Sequence, residues 1–151
     1  SADEGVIVAH GDQQGGYLLY VESAVVHLVY NAYGRVRRES GPLPEGATAL
    51  VLRATASPAV RWDFTVEAVA QGETTIVAKL DDQVQLVGMA PWTGISVGLD
   101  ARGPVDPELR RRRGVFRFGP ALRAVTYRPG TVRVAAVLRR DLDDAAEQSA
   151  D

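Results

Sequence analysis

The sequence predicts an all-β fold, an antiparallel β-sandwich, on three observations. Short segments alternate apolar and polar side chains with the two-residue period of a half-buried strand. Clusters of Gly, Pro, Asn and Asp separate these segments at roughly regular spacing. No stretch carries a 3.6-residue apolar stripe over a helix of ordinary length. At the usual strand length of about five or six residues, roughly ten to fourteen strands fit the chain.

The first strand is expected at Val6-Ile7-Val8-Ala9, followed by a loop over His10 to Gly16 whose glycines and Asp12 suit turns. A hairpin follows. Its first arm, Gly15-Gly16-Tyr17-Leu18-Leu19-Tyr20-Val21, places Tyr17, Leu19 and Val21 on one face and Leu18 and Tyr20 on the other. After a turn at Glu22-Ser23-Ala24, its second arm sets His27, Val29 and Asn31 against Leu28, Tyr30 and Ala32. One face of each arm is expected indoors and the other in water. Arg35 to Glu39 suits an exposed strand, and Ser40 to Gly46 is a breaker cluster. Ala47 to Thr55 is the next strand.

Arg61 to Val69 is the cleanest alternation, with Trp62, Phe64, Val66 and Ala68 inward and Arg61, Asp63, Thr65 and Glu67 outward. Turns at Gln71-Gly72-Glu73 and at Asp81-Asp82 bound strands at Thr74 to Leu80 and Val84 to Val87. Gly94 to Asp100 is a short strand entering a Gly- and Pro-rich loop. Arg110 to Arg113 reads as a charged extended loop. Val115 to Gly119, Leu122 to Tyr127 and Thr131 to Leu138 read as closing strands.

At 151 residues the chain is of single-domain length and long enough to bury a core. The expected division is one sandwich domain over residues 1–140 and an acidic tail over 141–151, with Asp141, Asp143, Asp144, Glu147 and Asp151. A net charge of −2 gives no overall pull toward nucleic acid, and no apolar run approaches a membrane span. There is no cysteine, which excludes disulfides, thiolate metal sites and a cysteine nucleophile and fits a cytoplasmic location. Ser1 to Glu4 has neither the basic region nor the apolar core of a signal peptide. The abrupt entry into strand-like sequence at Val6 suits a domain excised from a longer polypeptide.

Few residues carry chemistry. His10 and Asp12 could contribute to a metal site, but their spacing reads more simply as a turn with Asp12 capping loop amides. His27 reads as a cross-strand packing residue. No nucleophile-elbow pattern is present. Asp63 and Glu67 share a strand face as its solvated side. Arg110 to Arg113, extended by Arg117 and Arg123, forms an anion-attracting patch or a solvated loop. Phe116 and Phe118 alternate with Arg117 as core residues rather than as stacking platforms for nucleic acid. Tyr17, Tyr20, Tyr30, Tyr33 and Trp92 offer either a sugar-stacking platform or amphipathic wall residues.

Taken in order, Gly5-Val6-Ile7-Val8-Ala9-His10-Gly11, Gly15 to Val21, Tyr30-Asn31 and Gly41-Pro42-Leu43-Pro44-Glu45-Gly46 resemble the C-terminal region of large bacterial arylsulfatases. So do Gly94 to Asp100, Pro104-Val105 and Phe116 to Leu122. The likeness runs over most of residues 5–128. It implies a concanavalin- or laminin-G-like jelly roll, whose two antiparallel sheets pack face to face. The family's catalytic part lies upstream of such a region. Its nucleophile motif is Cys or Ser, any residue, Pro, Ser or Ala, then Arg. The nearest match here, Ala56 to Arg61, has Ala56 at the nucleophile position and Val60 where it displaces the Arg. The Asp-rich calcium cluster is absent as well. The resemblance therefore implies no catalytic, metal-binding or cofactor-binding residue in this chain, and names no substrate-binding one.

What it implies is a non-catalytic accessory domain of a sulfuric ester hydrolase. Its partner would be the catalytic domain of the same polypeptide, which it packs on or rims. The runner-up is a carbohydrate-binding module of the same fold, with a carbohydrate or sulfate ester as ligand. A concanavalin-like glycoside hydrolase is a third reading. No nucleic acid or membrane is expected as a partner.

Overall fold

The computed structural model describes residues 3–57, 60–85, 94–101, 103–128 and 130. Among them the elements run β1 (Gly5–Asp12), β2 (Gly15–Glu22), β3 (Val25–Ala32), β4 (Arg35–Pro42), β5 (Ala47–Ser57), β6 (Arg61–Ala70), β7 (Glu73–Val84), β8 (Ile95–Val97) and α1 (Pro107–Arg113). The strands form two antiparallel sheets, a five-stranded one in the order β4-β3-β2-β1-β8 and a three-stranded one in the order β5-β6-β7. The sheets pack on each other as a β-sandwich. Within each sheet, hairpins join consecutive strands; the chain changes sheet between β4 and β5 and returns at β8, which pairs with β1 without a hairpin.

Tight turns set the hairpin registers. Ser23 and Ala24 have φ 52° and 58°, Tyr33 and Gly34 have 53° and 86°, and Gln71 and Gly72 have 52° and 83°. Positive φ at both central residues is the geometry whose twist matches that of the flanking strands. Neither Ser23 nor Ala24 adopts it cheaply. The β2–β3 pairing, unbroken from Gly15↔Ala32 to Glu22↔Val25, imposes it.

Residues of β2 and β3 lie on the faces their alternation predicts, but neither face is wet. Leu19, Val21, Leu28 and Tyr30 meet Phe64, Val66 and Leu80 of the smaller sheet in the inter-sheet core. Leu18, Tyr20 and Val29, on the back face, are covered by Val105, Leu109 and Phe116. The expectation of one dry and one solvated face is thus corrected: a helix and its flanking loops cover the back of the larger sheet. In β1 a bulge between Val6 and Val8 switches faces, so that Val6 joins the back-face cluster and Val8 the inter-sheet core. The smaller sheet keeps the expected polarity. Phe64, Val66 and Ala68 are buried, while Asp63 is exposed and Glu67 pairs with Arg53 across the outer surface.

Two glycines let backbones touch. β7 runs closest to β4 and β3, and a Cβ at Gly41 would fall on the Val77 carbonyl of the opposing sheet. Gly16 (φ 147°) lies opposite Gly11, and a Cβ there would fall on the His10 carbonyl. The predicted loop over His10 to Gly16 therefore shrinks to Gln13-Gln14, because these glycines serve close strand approach rather than turns.

Other boundaries differ for identifiable reasons. Asp81-Asp82 is not a turn: β7 runs through it as a bulge opposite Asp63. The Asp63 carboxylate accepts the Asp82 N–H at 2.8 Å, replacing the partner that the bulge removes. β4 extends into the breaker cluster as far as Pro42. Arg110 to Arg113 is no extended loop but the C-terminal half of α1. Val115 to Gly119 contributes one isolated bridge, Val6↔Arg117, and Leu122 to Tyr127 forms no strand. Thr131 to Leu138, the acidic tail and Trp92 lie outside the described residues. Eight strands are described, against the larger number expected.

The two sides of β6 give a direct check. Phe64→Ala should cost about 3–5 kcal/mol, and Asp63→Ala, which loses one exposed hydrogen bond, about 1 kcal/mol or less. Urea unfolding of both variants tests this, and equal costs would contradict the strand polarity. Ala24→Gly, which relieves a left-handed alanine, should raise stability by about 1 kcal/mol in the same experiment.

Candidate interaction surface

The segment from β8 to residue 124 leaves the larger sheet, crosses its back face as α1 and returns. Its anchorage begins with local sequence. Asp106 is an N-cap: its Oδ1 accepts the N–H groups of Glu108 and Leu109 at 3.0 and 3.3 Å. Pro107 occupies the first turn, where its missing N–H costs nothing. Arg38 on β4 donates to both Asp106 oxygens, at 3.0 and 2.7 Å, and this bidentate pair fixes the helix start to the sheet. Asp106 is only 2% exposed, so the pair is well shielded on the acid's side.

Asn31 is the second anchor and has 0% exposure. Its amide nitrogen donates to the Val105 carbonyl at 3.0 Å and the Gln13 carbonyl at 3.1 Å. Its oxygen accepts the Gly34 N–H at 2.8 Å. One side chain thus ties two hairpin turns to the loop ahead of α1. Asp100, at the start of that loop, accepts the Val105 N–H through Oδ2 at 2.8 Å. Its own carbonyl accepts from Arg110 at 3.2 Å. Desolvation pushes the Asp100 carboxyl up to about 6, against the backbone donors and Arg110, which favour its charge.

The arginine run is largely engaged within the fold. Arg112 forms a two-point pair with Glu22 at 2.7 and 2.8 Å. Arg113 pairs with Glu4 at 2.8 Å, and its guanidinium lies 4.2 Å over the Phe116 ring. The Arg112 partnership holds the Glu22 carboxyl below its usual range. The basic residues also occupy the last turn of α1, where the helix dipole favours them. Of the run read as an anion patch or a solvated loop, Arg111 is exposed and makes no ion pair among the described residues.

On either side of α1 in sequence, Val97 to Leu99 and Arg117 to Ala124 form two walls of a shallow cleft of about 310 Å³. Leu99, Phe118 and Leu122 supply apolar lining, and Arg117 and Arg123 supply cationic lining. Neither arginine makes an ion pair among the described residues. Next to the cleft, β8 closes the sheet order and presents Ile95 and Val97 at 43% and 48% exposure. Apolar side chains rimmed by charge on a sheet edge are the composition of an interaction surface.

Other predicted candidates resolve into structural roles. The Asp12 carboxylate accepts the Gln14 N–H at 2.8 Å, as a turn cap should. His10 packs edge-on against Tyr17 at 5.4 Å, and burial lowers its pKa. No group of three potential metal ligands occurs among the described residues. His27 stacks on Tyr20 at 4.4 Å, the cross-strand role expected of it, and burial lowers its pKa too. Tyr17 and Tyr30 both pack against Phe64, and the Tyr30 hydroxyl donates to the Val84 carbonyl at 2.6 Å. Burial, with Tyr127 adding to it, pushes the Tyr17 phenol up to about 12. Asp106 and Arg38 carry no motif of their own, and Asn31 and Asp100 enter only through the resemblance, which gives them no role. The readable signal for them is the Asp-Pro-Glu start of a helix at 106–108.

Asn31→Ala leaves the buried Val105 carbonyl without its donor and removes the bonds to the Gln13 carbonyl and the Gly34 N–H, so it should destabilise the chain by about 2 kcal/mol or more. Denaturant unfolding measures this. A loss under 1 kcal/mol would mean that the loop ahead of α1 is held without Asn31.

Comparisons of the chain with protein-family models, with curated proteins and with solved structures find no match.

Proposed function

We propose that this chain is a non-catalytic accessory domain of an arylsulfatase-like sulfuric ester hydrolase. Its β-sandwich, of jelly-roll type in the finer form of this reading, packs on the catalytic domain of the same polypeptide or rims its substrate entrance. The single observation that carries the proposal is the ordered series of motifs from Gly5 to Leu122 that resembles the C-terminal region of those enzymes. Geometry lends it support of one kind. The motif residues here do structural work: Gly16 and Gly41 allow backbone contact, Asn31 ties turns together, and Asp100 and Val105 hold the loop ahead of α1. A motif series made of such residues marks a shared framework rather than a shared reaction. The described connections within each sheet are hairpins, so support for the jelly-roll form rests on the resemblance alone.

The β8 edge and the adjoining cleft are the surface we assign to the neighbouring domain. The alternative, a carbohydrate-binding module, needs an exposed aromatic platform. Among the described tyrosines only Tyr33 and Tyr127 are exposed, and Tyr33 sits in a hairpin turn.

Two measurements test the proposal. The full open reading frame should encode a formylglycine-type nucleophile motif upstream of this chain. The isolated chain, supplied with calcium, should leave a chromogenic aryl sulfate untouched. Turnover by the chain alone, or a reading frame with no such motif, overturns it.

A further inference from the structure

Asp100 is only 8% exposed, yet its Oδ1 is buried and has no hydrogen-bond partner among the described residues. Its Oδ2 is held by the loop that the residue itself begins, through the Val105 N–H. An ionised carboxylate in this position leaves one buried oxygen without a bond to any described residue, a costly arrangement. A neutral carboxyl loses far less. Among the described residues, desolvation outweighs the groups that favour the charge. Asp106, on the same loop, carries a like charge, and Arg38 from β4 is engaged with Asp106 and with Glu108 of α1. Arg110 of α1 is the opposing cation and favours the charge, and its guanidinium also donates to the Asp100 carbonyl. Asp12, at the end of β1, lies against Gly103 of the loop. On the far side of α1, Glu4, Glu22 and His27 face Arg112 and Arg113.

We propose that Asp100 is a proton-operated latch for residues 103–113: neutral, it lets the loop and α1 close over the back face of the larger sheet, and on losing its proton to solvent it weakens that closure. The segment is suited to local opening. Its attachment is two buried apolar residues, Val105 and Leu109, together with the Asn31 and Arg38 anchors and the Arg112 and Arg113 ion pairs. Opening would hydrate Asp100, free Arg112 and Arg113 from Glu22 and Glu4, and bare the back face around Leu18, Tyr20 and Val29.

The sign follows from proton linkage. Closed, the carboxyl titrates at about 6; open, at its ordinary 3.8. Closure is therefore fully stable below the lower value and weakens as pH rises toward and through the upper one. Between pH 5 and pH 7.5 the opening equilibrium should rise about tenfold.

Hydrogen exchange on the 151-residue chain reads this directly. The amides of Arg110 and Gly114, bonded to the Asp106 and Arg110 carbonyls, report closure of α1. Their protection factors, corrected for intrinsic exchange at each pH, should fall about tenfold from pH 5 to pH 7.5. Those of β2 and β3 should change far less. Asp100→Asn, which keeps an acceptor for Val105 and removes the charge, should abolish the pH dependence while leaving His27 and Glu22 in place. A flat wild-type profile overturns the proposal, as does an equal fall in β2 and β3 or the same slope in Asp100→Asn. If that variant fails to fold, the wild-type series together with a carboxyl-carbon NMR titration of Asp100 decides. A midpoint near the ordinary carboxylate value overturns the latch.

Discussion

Burying both faces of β1, β2 and β3 is the constraint on which the remaining structure depends. An antiparallel sheet usually needs cover on one side only. Here Leu18, Tyr20 and Val29 make the second side apolar as well, and the chain must supply a second lid. The three-stranded sheet covers the front and α1 with its flanking loops covers the back. Each lid brings a polar problem. Against the front lid, backbone meets backbone where Gly41 faces Val77. Under the back lid, a loop carries its N–H and carbonyl groups into an apolar region. Asn31, Asp100 and Asp106 are buried there because those backbone groups need partners away from water.

The same constraint explains the arginines. A seven-residue helix with one buried side chain gains little from packing. Charge pairs at both ends supplement it. Arg38 grips the cap at the start, and Glu22 and Glu4 hold Arg112 and Arg113 at the end. Four consecutive arginines, which look like a ligand patch in isolation, are mostly fastenings between a small helix and the sheet beneath it.

Legibility in the sequence follows the range of the forces involved. The faces of β2, β3 and β6 are readable because a two-residue period is local. The two-sided burial of β2 is also visible, in the nearly continuous apolar run Tyr17 to Val21, once that run is taken as the mark of a strand covered twice. Helix α1 escapes a search for periodicity because it is too short to show one, although Asp106-Pro107-Glu108 announces its start. The Asp81-Asp82 bulge reads as a turn because its stabilising partner, Asp63, sits on another strand. The cleft beside β8 is the least readable part. Its walls, 97–99 and 117–124, are separated in sequence by the whole of α1, and only the folded chain sets Leu99 and Leu122 in one cleft.

The order of connections also has a bearing on synthesis. β1 to β4 form a meander of adjacent hairpins, so their pairing needs only short-range loop closure and can precede everything downstream. Both lids come later in the chain, and the back-face lid, with Val105, Leu109 and Phe116, comes last among the described elements. A nascent chain paused before residue 100 would hold a formed sheet with its back apolar surface open to solvent or to a chaperone. The hazard of this architecture therefore lies in the interval between making the sheet and making its second cover. Translation speed across residues 85–116 sets how long that interval lasts.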